Sequence, residues 1–440
     1  MNLETIYDSS PIWIQNLMCS IKGYMIVRER FGKNFMNELQ AFEVKKYDGE
    51  MQLGVFLNNV KNTPAYSSVF SQNPDLNGKE LLEKFPIVGK IELKQHLKEY
   101  INKGCTEPMF TATTSGTTGG GLVFPCTNSS DYKKWAVWWR YRRALGIQLD
   151  TWCAWFGGKR IIDPNSRKPP FWRINRPGKQ VMFSSLHLTL DTVESYRDEI
   201  DQRKLPWVHG YPSHIAKFAG MVIDRGLQPL SHVKYVTTGA ENVLGNQIEL
   251  MKKVFPNALI RQHYGLAEGV ANFSQDVDGN WHIDDDYAYV EFIPVSEGNP
   301  NICRIVGTSI WNEAFPLIRY DTGDIATIQR ESDGSIKVLS VDGRSGNVLK
   351  GPDGFEINEA RLSIVLHDFN NIMESQFHQK TLTDIDLLIV RNHLYNEKDE
   401  TQLKKNIAEN FDRRINVNIK YVDSIQRTAA GKLKLVISDL

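Results

Sequence analysis

Pro206-Trp207-Val208-His209-Gly210-Tyr211-Pro212 is the stretch from which the fold is read: a short apolar run that stops at a glycine turn. The same pattern recurs three times. Thr151–Phe156 stops at Gly157-Gly158, Val233–Thr238 at Gly239, and Ala258–His263 at Tyr264-Gly265. Between these runs, Ser213–Arg225 and Gly245–Val254 carry apolar residues at helical spacing. Buried strands alternating with helices predict α/β layers with largely parallel pairing. In such sheets ligands sit beyond the carboxyl ends of the strands, which is where these glycines fall.

Working outward, residues 1–105 read mostly as helix, with Lys79–Lys84 and Lys90–Lys103 separated by Pro86. Met109–Thr114 is β-leaning and runs into a loop of glycines and hydroxyls, after which Leu122–Pro125 resumes as a strand. Asp131–Leu145 follows as a helix whose Trp135, Trp138 and Trp139 are read as core. On the other side, Tyr287–Ile293, Ile302–Ile310, Ala326–Gln329 and Ile336–Ser340 read as a β-rich subdomain. Asp342–Gly354 has the composition of a linker. Beyond it come a helix (Glu359–His367), a strand (Asp384–Val390), a charged helix with a solvated face (Glu397–Arg414) and a strand (Val417–Val422). The predicted fold class is α/β. It comprises a large multi-layer α/β domain with a β-rich subdomain over 1–342, a hinge at 343–347, and a small C-terminal α+β domain over 348–440.

Composition narrows the function. Lys plus Arg and Asp plus Glu are both 52, so the net charge of zero gives no reason to expect nucleic acid or an anionic membrane as the main partner. No apolar run is long enough to span a bilayer. In Pro11–Val27, Ile14, Leu17, Met18, Ile21 and Met25 recur at helical spacing, which predicts an amphipathic helix packed on the body rather than a signal peptide. The five cysteines (19, 105, 126, 153 and 303) are scattered, which argues against a disulfide framework or a zinc site and for a cytoplasmic protein. The histidines show no metal-binding spacing.

Four stretches carry chemistry. Thr114-Ser115-Gly116-Thr117-Thr118-Gly119 can surround phosphate oxygens with backbone N–H groups and hydroxyls, although no Walker lysine follows. In His263-Tyr264-Gly265-Leu266-Ala267-Glu268 an aromatic can stack on a purine and a carboxylate can hold Mg²⁺ beside phosphates. In Arg319-Tyr320-Asp321-Thr322-Gly323-Asp324 a carboxylate can accept two ribose hydroxyls, or the segment can be a hairpin turn. Arg427-Thr428-Ala429-Ala430-Gly431-Lys432 places an ammonium in a small-residue loop, where it can meet a developing anion or serve as a basic tail. Each stretch alone also has an ordinary structural reading.

The ordered set, with Gly343-Arg344-Ser345-Gly346-Asn347 between the last two, resembles the adenylate-forming superfamily and, within it, the phenylacetate-CoA ligase family. Gly210-Tyr211-Pro212-Ser213 and Thr238-Gly239-Ala240-Glu241 fit that family as well. Trp155-Phe156-Gly157-Gly158, with Pro169-Pro170-Phe171-Trp172 after it, is similar to the branch associated with capsular polysaccharide biosynthesis. The resemblance implies that Ser115 to Gly119, with Thr114, cradle the ATP phosphates. It implies that Gly239, Ala240 and Glu241 line the adenine site, with His263, Tyr264 and Gly265 at the base. Glu268 would bind Mg²⁺, and Asp324 would hold the ribose with Arg344 nearby. Lys432 would bridge the substrate carboxylate and the α-phosphate, and the C-terminal domain would rotate about Gly346 between two half-reactions.

The expected reaction converts a carboxylic acid to an acyl-adenylate with release of pyrophosphate, then transfers the acyl group to an acceptor. Coenzyme A is the first candidate acceptor; a sugar amine or carrier protein is the alternative. The expected acyl-pocket residues are Trp155, Gly157, Gly158, His209, Gly210 and Tyr211. Three positions depart from the pattern. Gly120 stands where many relatives have Lys, Ala267 where many have Ser or Thr, and Gly346 where many have Asp. These departures raise the further alternative of an inactive nucleotide-binding relative.

Overall fold

The computed structural model describes residues 3–114, 121–296, 298–344, 348–352, 356–357, 359–366, 369, 371–428 and 431–440. The chain forms two compact units: residues 1–25, 150–262 and 343–440 make the first, and residues 26–149 and 263–342 the second. The fold is α/β with a β-rich part and a C-terminal α+β part, as the sequence predicts.

In the first unit the repeated apolar runs form a parallel sheet. Cys153–Phe156 lies between Gln180–Phe183 and Trp207–Gly210, and Trp207–Gly210 pairs in turn with Tyr235–Gly239. Its strands are short and apolar because helices cover them, and such strands carry no polar alternation. Phe156, Val208 and Val236 pack with Ile215 and Phe218 of the helix Pro212–Asp224 and with Leu250 and Val254 of the helix Gly245–Val254. Trp172–Asn175 adds an antiparallel edge strand to Gln180–Phe183.

The helix over Pro11–Val27 exists, as Ile12–Arg30, but it packs with the opposite face. Leu17, Ile21 and Met25 are at least half exposed, whereas Gln15 and Gly23 are buried. The edge strand explains this. Its backbone is covered by the helix's polar residues: Asn16 Oδ1 accepts the Ile174 N–H at 2.9 Å, and the Ser20 hydroxyl donates to the Ile174 carbonyl at 3.2 Å. Gln15 Oε1 accepts from Arg173 Nε at 2.5 Å. An open sheet edge needs hydrogen-bond partners more than apolar cover, so the polar face turns inward.

The C-terminal part of this unit has its own sheet, in the order Asn416–Tyr421, Asp384–Arg391, Ile372–Gln379, Val436–Ser438. Leu362 and Val365 of the helix Glu359–Leu366 and Leu403 of the helix Glu397–Asn410 pack on Phe377 and Leu387. The second helix starts at Asn396, whose side chain accepts the Lys398 N–H at 2.9 Å, while Asp399 accepts the Asn396 N–H at 3.0 Å. The sequence pattern does not reveal the strand Ile372–Gln379, because Glu374, Ser375 and Gln376 break its apolar run although all three are buried.

In the second unit, Met109–Thr113 and Val123–Thr127 form a hairpin ladder, followed by the helix Asn128–Ala144. Four antiparallel strands, Ala288–Ser296, Asn299–Ser309, Tyr320–Arg330 and Ile336–Arg344, form the β-rich part. Two features differ from the sequence reading. The Asp342–Gly354 linker begins inside the last of these strands and includes a short strand, Leu349–Lys350, that pairs with Glu356–Ile357 just beyond it. The Arg319–Asp324 segment is not a hairpin turn: the strand Tyr320–Arg330 runs through it, with a register shift against Arg304–Val306 and Gly323 at φ +73°. Turn chemistry within a strand produces a bulge here.

Candidate functional site

The second unit holds one group of the predicted residues. The bulge aims Asp324: the Asp321 side chain accepts the Gly323 N–H at 2.9 Å, and Thr322 Oγ1 accepts the Asp324 N–H at 3.0 Å. The Tyr264 hydroxyl, from the end of the strand Leu259–Gly265, donates to Asp324 Oδ2 at 2.8 Å. Tyr264 stacks on Phe273 with ring centroids 5.1 Å apart. Burial, and then the Asp324 carboxylate, hold its phenol well above the usual range, so it remains a donor. Gly265 is confined: a Cβ there would lie 2.7 Å from Asn272 Oδ1.

His263 sits elsewhere than expected for a nucleotide contact. Its ring packs between Trp138 (5.2 Å) and Tyr141 (5.5 Å), and burial followed by Arg142 lowers its pKa to about 3. It is a neutral group enclosed by aromatic rings.

Glu268 is half-buried and lines a pocket with Ser130, Lys134, Tyr287, Ser309 and Asn312. Among the described residues there is no cluster of three or more acidic, histidine or cysteine ligands. One carboxylate among hydroxyl and amide oxygens, with the Lys134 ammonium on the same pocket wall, does not suit a metal cage built by the protein alone; a Mg²⁺ ion there would be held mainly by substrate phosphates. Thr114 closes the base of the glycine-rich loop: its N–H donates to the Leu122 carbonyl and its Oγ1 accepts the Leu122 N–H, both at 2.9 Å. Gly121 is required there, because a Cβ would lie 1.8 Å from the Thr114 carbonyl oxygen. Ser115, Gly116, Thr117, Thr118, Gly119 and Gly120 lie outside the described residues, as does Gly346. Arg344 ends its strand.

The first unit holds the other group, at the carboxyl ends of the parallel strands. Trp155 lies against Gly157, where a Cβ would come within 1.9 Å of its indole. A Cβ on Gly210 would meet the Phe156 carbonyl at 2.0 Å, and the next N–H, that of Tyr211, donates to the same oxygen at 2.9 Å. His209 Nδ1 lies 2.9 Å from Thr237 Oγ1. Against these strand ends sits the Lys432 loop. Its Gly431, at φ +79°, comes so close that a Cβ would stand 2.8 Å from Gly158 Cα. The Lys432 ammonium lies 5.8 Å from the centroid of the Tyr211 ring. The loop closes on itself through Thr428, whose carbonyl accepts the Gly431 N–H at 2.8 Å and whose Oγ1 accepts the Lys432 N–H at 3.1 Å.

Gly239 ends its strand and Ala240 takes the left-handed conformation at φ +68°. Glu241, expected to line the adenine site, binds two backbone N–H groups. Its carboxylate accepts the Ser213 N–H at 3.2 Å and the Leu433 N–H at 2.8 Å, and burial raises its pKa. Two residues that sequence reasoning passed over also meet here. Arg427 Nη1 donates to Ser213 Oγ at 2.7 Å, and Nη2 pairs with the buried Glu374. No local sequence signal marks this pair, since the strand that holds Glu374 is itself not legible in the sequence.

Residues 349–439 match the CapK C-terminal domain family. Over its whole length the chain is 25% identical to Protein CapK of Staphylococcus aureus, with all of both chains covered. Among solved structures, it is similar to 2-hydroxyisobutyryl-CoA ligase in the postadenylation state with 2-HIB-AMP, at TM-score 0.65 and 14% identity over 89% of each chain. The same ligase in its thioesterification state, with 2-HIB-AMP and CoA, gives TM-score 0.51 and 15% identity over 89% of each chain. An anthranilate CoA ligase in complex with anthranoyl-AMP gives TM-score 0.52 and 15% identity, over 74% of this chain and 66% of that one. The shared fold is that of the adenylate-forming ligases. No helix among the described residues is long and apolar enough to cross a membrane.

Proposed function

We propose that this chain, similar to Protein CapK over its whole length and sharing the fold of the CoA ligases, activates a carboxylic acid with ATP, releasing pyrophosphate and forming an acyl-adenylate, and then transfers the acyl group to coenzyme A. The observation that carries this reading is the seating of the Lys432 loop on the strand ends at Gly158 and Tyr211, among the residues proposed to wall the acyl pocket.

The chemistry requires such an arrangement. A carboxylate must attack the α-phosphorus of ATP while pyrophosphate leaves, and both reactants are anions. Lys432 offsets the charge that builds between them, which is worth most where a donor is already in place. Asp324, oriented by Tyr264, accepts the ribose hydroxyls and fixes the nucleotide. The loop of Ser115 to Gly119, tied at its base by Thr114, offers N–H groups and hydroxyls to the phosphates. Mg²⁺, when bound to Glu268, supplies further charge neutralisation at the phosphate oxygens. Trp155, His209 and Tyr211 form an acyl pocket of mixed aromatic and polar character, and Gly157 and Gly210 let the chain pass against the Trp155 indole and the Phe156 carbonyl.

The test is ATP- and Mg²⁺-dependent pyrophosphate release over a panel of aryl, aliphatic, hydroxy and amino acids, with and without coenzyme A. Release with one acid class, stimulated by coenzyme A, supports the full reading. Release without that stimulation keeps the adenylation and redirects the second step to an amine or carrier-protein acceptor. No release with any acid overturns the proposal in favour of a nucleotide-binding relative.

A further inference from the structure

The hydrogen bonds around Lys432 are more numerous than a surface loop requires, and they converge on one residue. Ser213 stands at the start of the helix Pro212–Asp224 and is 2% exposed. Its backbone N–H is accepted by Glu241 Oε2 at 3.2 Å, and its hydroxyl accepts from Arg427 Nη1 at 2.7 Å. Both partners reach on to the lysine loop. Glu241 Oε1 accepts the N–H of Leu433, the residue after Lys432, at 2.8 Å. Arg427 Nη1 also donates to the carbonyl of Gly431, the residue before it, at 3.3 Å. The second arm of Arg427 is anchored by Glu374, itself 2% exposed, with the Lys217 ammonium 4.0 Å away.

We propose that Ser213, Glu241 and Arg427, with Glu374 as anchor, are positioning residues that hold the Lys432 loop in place for adenylate formation. The geometry distinguishes this from ordinary packing. The groups touch both neighbours of Lys432 along the chain and leave its ammonium directed toward the Tyr211 ring. The planar fork of Arg427 reaches helix, loop and strand at once, which a lysine's single point charge does not do. Gly158 and Gly431 meet backbone to backbone, so a slack loop has no side chain to re-seat it. The inference rests on the reading in which Lys432 serves adenylation, and it adds residues to which that reading assigns no such role.

The experiment uses the full chain with Ser213→Ala, which removes the acceptor of Arg427 and leaves the backbone N–H in place. Glu374→Gln is the second variant, should the first prove unstable. Acid-dependent pyrophosphate release is expected to fall about tenfold, while acyl transfer from a supplied acyl-adenylate of the same acid stays within about twofold. Hydrogen exchange at the Leu433 amide is expected to speed up about tenfold, with the strand Ile372–Gln379 unchanged. Equal loss in both half-reactions, or unchanged Leu433 protection, would overturn the proposal. If the wild-type chain releases no pyrophosphate with any acid, the functional reading fails, and Leu433 exchange in Ser213→Ala still decides the positioning claim.

Discussion

The Tyr264 hydroxyl donates to Asp324 Oδ2 at 2.8 Å, joining the end of one strand to a bulge in another. A phenol and a carboxylate in this relation fix each other's orientation. Removing the carboxylate by Asp324→Ala is expected to weaken ATP binding. Tyr264→Phe should weaken it less, by about tenfold, the scale of about 1.5 kcal/mol for one hydrogen bond to a charged group. Isothermal titration with ATP checks both, and unchanged affinity in Asp324→Ala would remove it from the nucleotide site.

Two histidines held neutral by burial should make the fold less stable in acid. Burial, with Arg427 for His214 and Arg142 for His263, lowers each pKa from 6.5 to about 3. Between these values the unfolded chain binds protons that the folded chain refuses, so stability is complete above about pH 6.5 and declines as the pH falls. The loss by pH 4 is on the order of 3 kcal/mol for each histidine. Melting curves from pH 7.5 to 4 should show this decline, with a shallower slope in His263→Gln. An equal slope would mean that His263 is already open to protons.

Gly431 occupies a left-handed backbone position against Gly158. Gly431→Ala adds a methyl that both the φ angle and the neighbour oppose, so the loop must move. Adenylation should fall at least tenfold while the melting temperature changes little, because a short C-terminal loop contributes little to global stability. A large drop in melting temperature would place the loop in the folding core instead.

The reversed N-terminal helix makes a prediction opposite to the one its sequence invites. Leu17→Gln and Ile21→Gln, on the exposed face, are expected to change stability by less than about 0.5 kcal/mol. Gly23→Ala, which brings a Cβ to 1.9 Å from Asn175 Oδ1, is expected to cost about 1–3 kcal/mol through overpacking. Urea denaturation of the three variants compares the two faces directly.

That helix also marks where sequence reasoning stops. Periodicity announced the helix, and it announced the strands Cys153–Phe156, Trp207–Gly210 and Tyr235–Gly239, because residues buried on both faces form unbroken apolar runs. It did not announce which face the helix buries, since that depends on an edge strand lying more than 150 residues away in the chain. Ile372–Gln379 escaped for a related reason: the partner that stabilises Glu374 is Arg427, distant in sequence, and no local pattern marks a buried carboxylate as paired. The ordered motifs singled out Tyr264, Asp324 and Lys432 as candidates. The bond between Tyr264 and Asp324, the inward ring of His263 and the turn of Glu241 toward Leu433 depend on contacts between distant segments, which spacing does not encode.

The central claim is that Lys432 serves the formation of the adenylate and not its consumption. The direct measurement is a single-turnover comparison of Lys432→Ala with the wild-type chain, following acyl-adenylate formation from acid and ATP, and separately acyl transfer from a supplied acyl-adenylate. The account predicts that formation falls by about 10²–10³ while transfer is preserved. Formation at the wild-type rate in Lys432→Ala would contradict it.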